Sequence, residues 1–271
     1  MNAIVHHVTN APPRLAVDVR GSGEPLVFLH GIGGNRRNWT AQLTALSDRY
    51  RCVAFDFRGY GDSEDVDGDL DFFDFVEDTR HVLDELQIGR CHLFGLSMGG
   101  LVAQAFYAEH PERVLSLGLI GCRPGSSPVF EDRQQFEQER SKPLETGDAS
   151  ALADSLLPRL LGPSITPEAR ASIRDSLERL RPHSYRKVLP ARLSIAPFLA
   201  LEQIAVPTLV VAGTHDRVAP QQQMEVMAAA ISGSVLEVMP QAGHLMNIEQ
   251  PDRFNNLVRK FLMSVEQEKT A

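Results

Sequence analysis

The sequence predicts an α/β fold, a doubly wound and mostly parallel sheet flanked by helices, and three observations carry that expectation. Short apolar runs alternate with helical stretches along most of the 271 residues. One such run, Cys91–Phe94, turns directly into a helical stretch through Gly95-Leu96-Ser97-Met98-Gly99. Between about residues 121 and 205 the alternation stops, and helical, arginine-rich sequence with prolines takes its place.

Taken in order, Leu15–Arg20 and Leu26–His30 read as early strands and Arg51–Phe57 as the next. Phe72–Leu86 is an amphipathic helix whose apolar face carries Phe72, Phe75, Val76, Val82, Leu83 and Leu86. The strand Cys91–Phe94 and the helix opening at Gly100–Phe106 bracket the pentapeptide, and Val114–Ile120 is the strand that follows. Thr208–Gly213 is continuous, apolar and partly β-branched, which marks a buried strand. Ser234–Met239 is another, ahead of a helix near Gln250–Phe254.

A strand that enters a helix through Gly-x-Ser-x-Gly is a nucleophile elbow, which lifts the Ser97 hydroxyl clear of the sheet. Such a serine needs a base and an orienting acid, and both follow at strand ends. Asp216 stands just past Thr208–Gly213, and His244 just past Ser234–Met239. Loops at the carboxyl ends of parallel strands converge at one edge, so Ser97, Asp216 and His244 are expected to meet there. His244 would take the Ser97 proton while Asp216 fixes its tautomer. An oxyanion needs donors, and the backbone N–H of Met98 is one. Leu26–His30 runs into Gly31-Ile32-Gly33-Gly34, which makes the Ile32 N–H the second. A phosphate cradle is the alternative for those glycines, but no lysine follows as a P-loop requires.

On His30-Gly31-Ile32-Gly33-Gly34, Asp56-Phe57-Arg58-Gly59-Tyr60-Gly61-Asp62-Ser63, Gly95–Gly100, Asp216 and Gly243-His244, the chain resembles the α/β-hydrolase superfamily. Within it the elbow and spacing are similar to small bacterial esterases and 3-oxoadipate enol-lactonases. Carbon–carbon bond hydrolases of aromatic catabolism and cofactor-free perhydrolases are close too. The resemblance implies a core of residues 1–120 and 206–271 with a helical cap at 121–205, before the acid-bearing strand. Serine at 97 departs from epoxide and haloalkane hydrolases, which carry aspartate, and Leu96 from carbon–carbon hydrolases, which usually carry asparagine.

Composition agrees with one large domain: 43% hydrophobic and 23% charged residues in this length supply a sizeable core. A net charge of −8 argues against a nucleic-acid partner. No apolar stretch approaches the ~20 residues of a membrane span, and the first residues lack a signal-peptide pattern. Three cysteines, Cys52, Cys91 and Cys122, fall in or beside core strands and read as reduced thiols of a cytoplasmic protein. No metal or cofactor is called for, and the expected partner is a small ester or lactone, with the resemblance pointing to an enol-lactone-like acid as its leading specific form.

Nine acids and no Lys or Arg lie between Asp62 and Asp78, read as a solvated loop feeding charge to a helix amino terminus. Residues 123–195 carry twelve Lys or Arg against ten Asp or Glu in an otherwise acidic chain. That surplus makes Arg123, Arg133 and Arg186 candidate clamps for a substrate carboxylate, with solvated helix faces as the plainer reading. Trp39 either lines the pocket or packs a helix, and His30 either touches substrate or braces its loop. Asp56 is a rival acid whose Asp-x-Arg-Gly setting reads more as a loop brace, and His215 is a rival base expected to face away from its neighbour Asp216. Three classes follow: a serine hydrolase of esters or lactones, an acyltransferase or perhydrolase with the same machinery, and an idle scaffold. The intact Ser97, Asp216 and His244 set favours the first.

Overall fold

A computed structural model describes residues 3–127, 142, 149–193 and 195–270, with side chains to 267. Its eight-stranded sheet runs in the order β1-β2-β4-β3-β5-β6-β7-β8. These are β1 (Val5–Val8), β2 (Ala16–Arg20), β3 (Glu24–Leu29), β4 (Tyr50–Phe55), β5 (Cys91–Leu96), β6 (Val114–Ile120), β7 (Thr208–Gly213) and β8 (Val235–Met239). The pairings β1–β2 and β2–β4 are antiparallel, and the rest are parallel. The expected fold class therefore stands. Strand β1 is the element that hydrophobic pattern does not reveal: Val-His-His-Val is exposed throughout, and backbone pairing of Val5 with Val19 holds it.

Alternate side chains of each central strand go to opposite faces. In β3, Leu26 and Phe28 join one apolar cluster while Val27 and Leu29 join another. The first face is covered by α1 (Thr40–Leu46) and α9 (Pro251–Thr270) through residues such as Leu43, Leu46, Phe254 and Val258. The second is covered by α2 (Asp74–Glu85), α3 (Met98–Glu109) and α7 (Gln221–Ala230). A parallel sheet buried on both faces needs strands that are apolar throughout, which is why β5, β6 and β7 read so clearly.

Between β6 and β7 stand α4 (Ala149–Leu160), α5 (Pro167–Glu178) and α6 (Pro182–Leu193). Leu152, Leu156, Ile173, Leu177, Val188 and Leu189 merge with the second apolar cluster, so the insertion shares its core with the sheet. Helix α5 starts where Thr166 accepts a bond from the Ala169 N–H (3.2 Å) with Pro167 at the first helical position. The short helix α8 (Met246–Glu249) precedes α9.

Most of the acidic run is solvated as expected, with Asp62, Glu64, Asp65, Asp67, Asp69 and Asp71 exposed and Asp74 and Glu77 in the first turn of α2, and Asp78 is the exception. Asp78 is fully buried against Arg58 (Nη2 to Oδ1, 2.7 Å), and Asp62 pairs with Arg36 and Arg37 at 2.8 and 2.7 Å. Arg36 and Arg37 lie outside the run and Arg58 just before it, so a local charge count could not show these pairs.

All three cysteines are free and buried, and burial pushes each thiol up to about 12. At pH 8 the thiolate, which is the reactive species, is then negligible. The native protein is expected to leave Ellman's reagent uncoloured for many minutes and to titrate all three thiols in guanidinium. Rapid reaction of any thiol in the native state would contradict this packing.

Candidate active site

At the carboxyl edge of the sheet, β5 turns into α3 at Ser97, whose backbone sits at φ 55° and ψ −113°. This is a left-handed conformation that a residue with a side chain rarely adopts. Two crowded glycines hold it: a Cβ on Gly95 would strike the Gly99 carbonyl, and one on Gly99 would strike the Leu29 carbonyl. The Ser97 N–H still donates to the Ile120 carbonyl of β6 (2.9 Å), so the elbow is anchored to the sheet up to the turn itself.

The loops after β7 and β8 place Asp216 and His244 beside each other. His244 Nδ1 lies 2.8 Å from Asp216 Oδ2, and both side chains are almost fully buried. The other carboxylate oxygen of Asp216 accepts the N–H groups of Val218 (2.7 Å) and Ala219 (2.9 Å). With both oxygens engaged, the carboxylate cannot swing away from the imidazole. Gly121, at the end of β6, has φ 48°, and a Cβ there would come within 3.0 Å of Asp216 Oδ2 and 3.3 Å of His244 Nδ1. That residue escapes sequence reasoning, because one glycine after a strand gives no sign of what packs over it.

Ser97 and His244 line one cavity of about 550 Å³ of empty space, partly open to solvent. Its walls are Ile32, Leu96, Leu156, Leu160, Ile173, Leu177, Val218 and Leu245, with Asn38 and Ser176 as a polar edge. Gly31 lies so close to the serine that a Cβ there would be 3.7 Å from Ser97 Oγ. Ile32 lines the cavity and Met98 directly follows Ser97, and neither N–H donates to a protein group among the described residues. Met98 opens α3, where the first amides have no partner within the helix.

The other candidates fall elsewhere. His30 is buried, with Nδ1 donating to the Gly31 carbonyl (2.9 Å) and Nε2 accepting the Phe57 N–H (3.2 Å). Burial pulls its pKa down despite Asp56 nearby, so the neutral ring braces its loop and does not face the cavity. Trp39 is fully buried and stacked on Phe28 (4.8 Å) in the opposite apolar cluster, so it packs a helix and does not line the pocket. Arg123 lines a separate hollow with Leu101 and Phe198, and Arg186 is exposed with Nε on the Pro182 carbonyl (3.2 Å). Arg133 lies outside the described residues. His215 is exposed beside Thr214 (3.0 Å), facing away as alternation requires.

Asp56 is a brace. Its Oδ1 accepts the Arg36 N–H (2.6 Å), and its Oδ2 meets the Arg36 guanidinium and the Asp62 N–H (2.9 Å). Arg36 also reaches Asp18 at 2.9 Å. Burial alone would lower its pKa, but Asp56, Asp62 and Asp18 outweigh that and leave it raised. This buried network fixes the loop carrying Ile32 and was not legible in the sequence, because its members are far apart along the chain.

Asp216→Asn is expected to lower kcat by about 10³–10⁴-fold by presenting the wrong imidazole tautomer. Asp56→Asn is expected to cost stability instead, about 3–5 kcal/mol for a broken buried pair. Denaturant melts and kinetics on the folded protein separate the two; a mild Asp216→Asn beside an inactive, stable Asp56→Asn would reverse the assignment.

Comparison with known proteins identifies the family. Residues 26–257 match the model of the alpha/beta hydrolase family. A Mycobacterium tuberculosis protein that carries the provisional name non-heme bromoperoxidase BpoC is 31% identical, over 93% of this chain and 98% of its own. A thermophilic esterase from Thermogutta terrifontis superposes with a TM-score of 0.88 at 29% identity, covering 97% of this chain and 99% of that one. The enol-lactonase from Burkholderia xenovorans LB400 gives 0.85 at 29%, over 96% and 100%. The chain thus belongs to the alpha/beta hydrolase family.

Proposed function

We propose that this chain hydrolyses a small carboxylic ester or lactone through an acyl-enzyme on Ser97. The observation that carries the reading is the cavity itself, which joins Ser97 and an Asp216-bonded His244 to a wall that is apolar among the described residues. In this reading His244 Nε2 takes the hydroxyl proton as Ser97 Oγ bonds to the acyl carbon. The oxyanion is held by the N–H groups of Ile32 and Met98, each worth roughly 3–4 kcal/mol. The imidazolium then protonates the leaving alcohol, and a water activated by the same ring releases the acid. Helices α4–α6 act as the cap that shapes the acyl site.

Kinship with an esterase and an enol-lactonase supports the ester or lactone class. Among the described residues the wall is apolar and neither Arg123 nor Arg186 lines it, which supports a neutral acyl group over an enol-lactone-like acid. Each buried methylene is worth about 0.8 kcal/mol, so kcat/KM is expected to rise about threefold to fourfold per carbon from acetate to butyrate esters. It is also expected to be insensitive to ionic strength, because a neutral ester offers no charge for salt to screen. A fluorophosphonate probe is expected to label the wild type and to spare Ser97→Ala. Labelling of Ser97→Ala, or a salt-sensitive preference for an anionic lactone, would overturn the nucleophile or the substrate class respectively.

A further inference from the structure

Glu249 closes the short helix after His244, is 4% exposed, and has no Lys or Arg partner among the described residues. Three backbone amides stand in for a cation. Its Oε2 accepts the N–H of Gly162 (2.8 Å) and of Gly243 (3.0 Å), and its Oε1 accepts that of Leu245 (3.3 Å). Two of those amides flank His244, and the third follows α4 in the insertion. The same two segments meet again where the His244 N–H donates to the Leu160 carbonyl (2.7 Å). A Cβ on Gly162 or Gly243 would run into the other's backbone, so the contact is main chain on main chain. Leu160 also lines the cavity. What the substrate presses against is therefore hydrogen-bonded to the backbone of the histidine.

We propose that Glu249 is a positioning residue that latches residues 160–162 to the histidine loop, so that His244 is set for reaction only while that end of α4 is seated. The carboxylate suits the task because it offers acceptors only, and all three groups facing it are donors. An amide in its place would turn an N–H₂ toward at least one of those donors and open the latch. The proposal rests on His244 being the base, and the test separates the two ideas.

Kinetics on p-nitrophenyl acetate would be measured for the wild type, Glu249→Gln, His244→Ala and Ser164→Ala, with thermal melts as a fold check. Ser164 joins the same segments from the exposed side, through its hydroxyl on the Gln241 carbonyl (3.1 Å), and its removal is expected to change nothing. Glu249→Gln is expected to lower kcat by about 10- to 100-fold, the scale of an ångström of misplacement, with KM within about twofold. A KM effect with kcat intact, or a lowered melting point with unchanged kcat, would overturn the latch. An active His244→Ala would overturn the base assignment instead. Amide hydrogen exchange in the wild type gives a reading independent of any variant's folding: Gly162, Gly243 and Leu245 are expected to open together. Free exchange at Gly162 beside a protected Gly243 would contradict the proposal.

Discussion

The geometry at this pocket depends on the backbone of Ser97, held at φ 55° where an ordinary residue would relax. Such a conformation costs of order 1–3 kcal/mol and persists only when its surroundings leave no alternative. Here the surroundings are β5 and α3 approaching so closely that positions 95 and 99 have no room for side chains. The strain is local, but the restraint comes from the sheet: β5 lies between β3 and β6, in parallel register with both. Because β3, β5, β6, β7 and β8 all point the same way, their exits form one edge. The loops bearing Ile32, Ser97, Gly121, Asp216 and His244 therefore gather without a separate device to bring them together.

Electrostatics around that edge are arranged in two shells of opposite character. The cavity wall is apolar, and its described lining carries no Asp, Glu, Lys or Arg. Behind it, buried charges are paired or capped: Arg36 with Asp18, Asp56 and Asp62; Arg58 with Asp78; Glu249 with three amides. A buried charge left without partners is costly, so each of these groups fixes the backbone it touches. The first network fixes the loop of Ile32 and Glu249 fixes the loop of His244, while Asp216 is fixed by its own two amide bonds.

Much of this was legible in the sequence because the central strands are apolar on both faces and the elbow has a fixed spacing. Ser97, Asp216 and His244 could be placed at strand ends from hydrophobic pattern alone, and they do meet the same edge. What pattern could not supply was long-range pairing. Strand β1 has no apolar signature, Arg36 meets acids 18 to 26 residues away, and Glu249 meets an amide 87 residues away. For Arg186, the plainer reading of the insertion's charge is the one the structure fits. The arginine surplus made a clamp one candidate, yet Arg186 lies exposed and Arg123 lines a different hollow, while the cavity receives Leu156, Leu160, Ile173 and Leu177. Helix faces, and not net charge, decide what a cap presents to its pocket.

The central claim is covalent chemistry at one hydroxyl, and a rapid acid quench during turnover of p-nitrophenyl acetate tests it most directly. Intact-mass measurement is expected to find one acetyl group per chain, and peptide mapping is expected to place it on Ser97. Turnover with no covalent adduct at any quench time, or an acetyl group on another residue, would contradict the account.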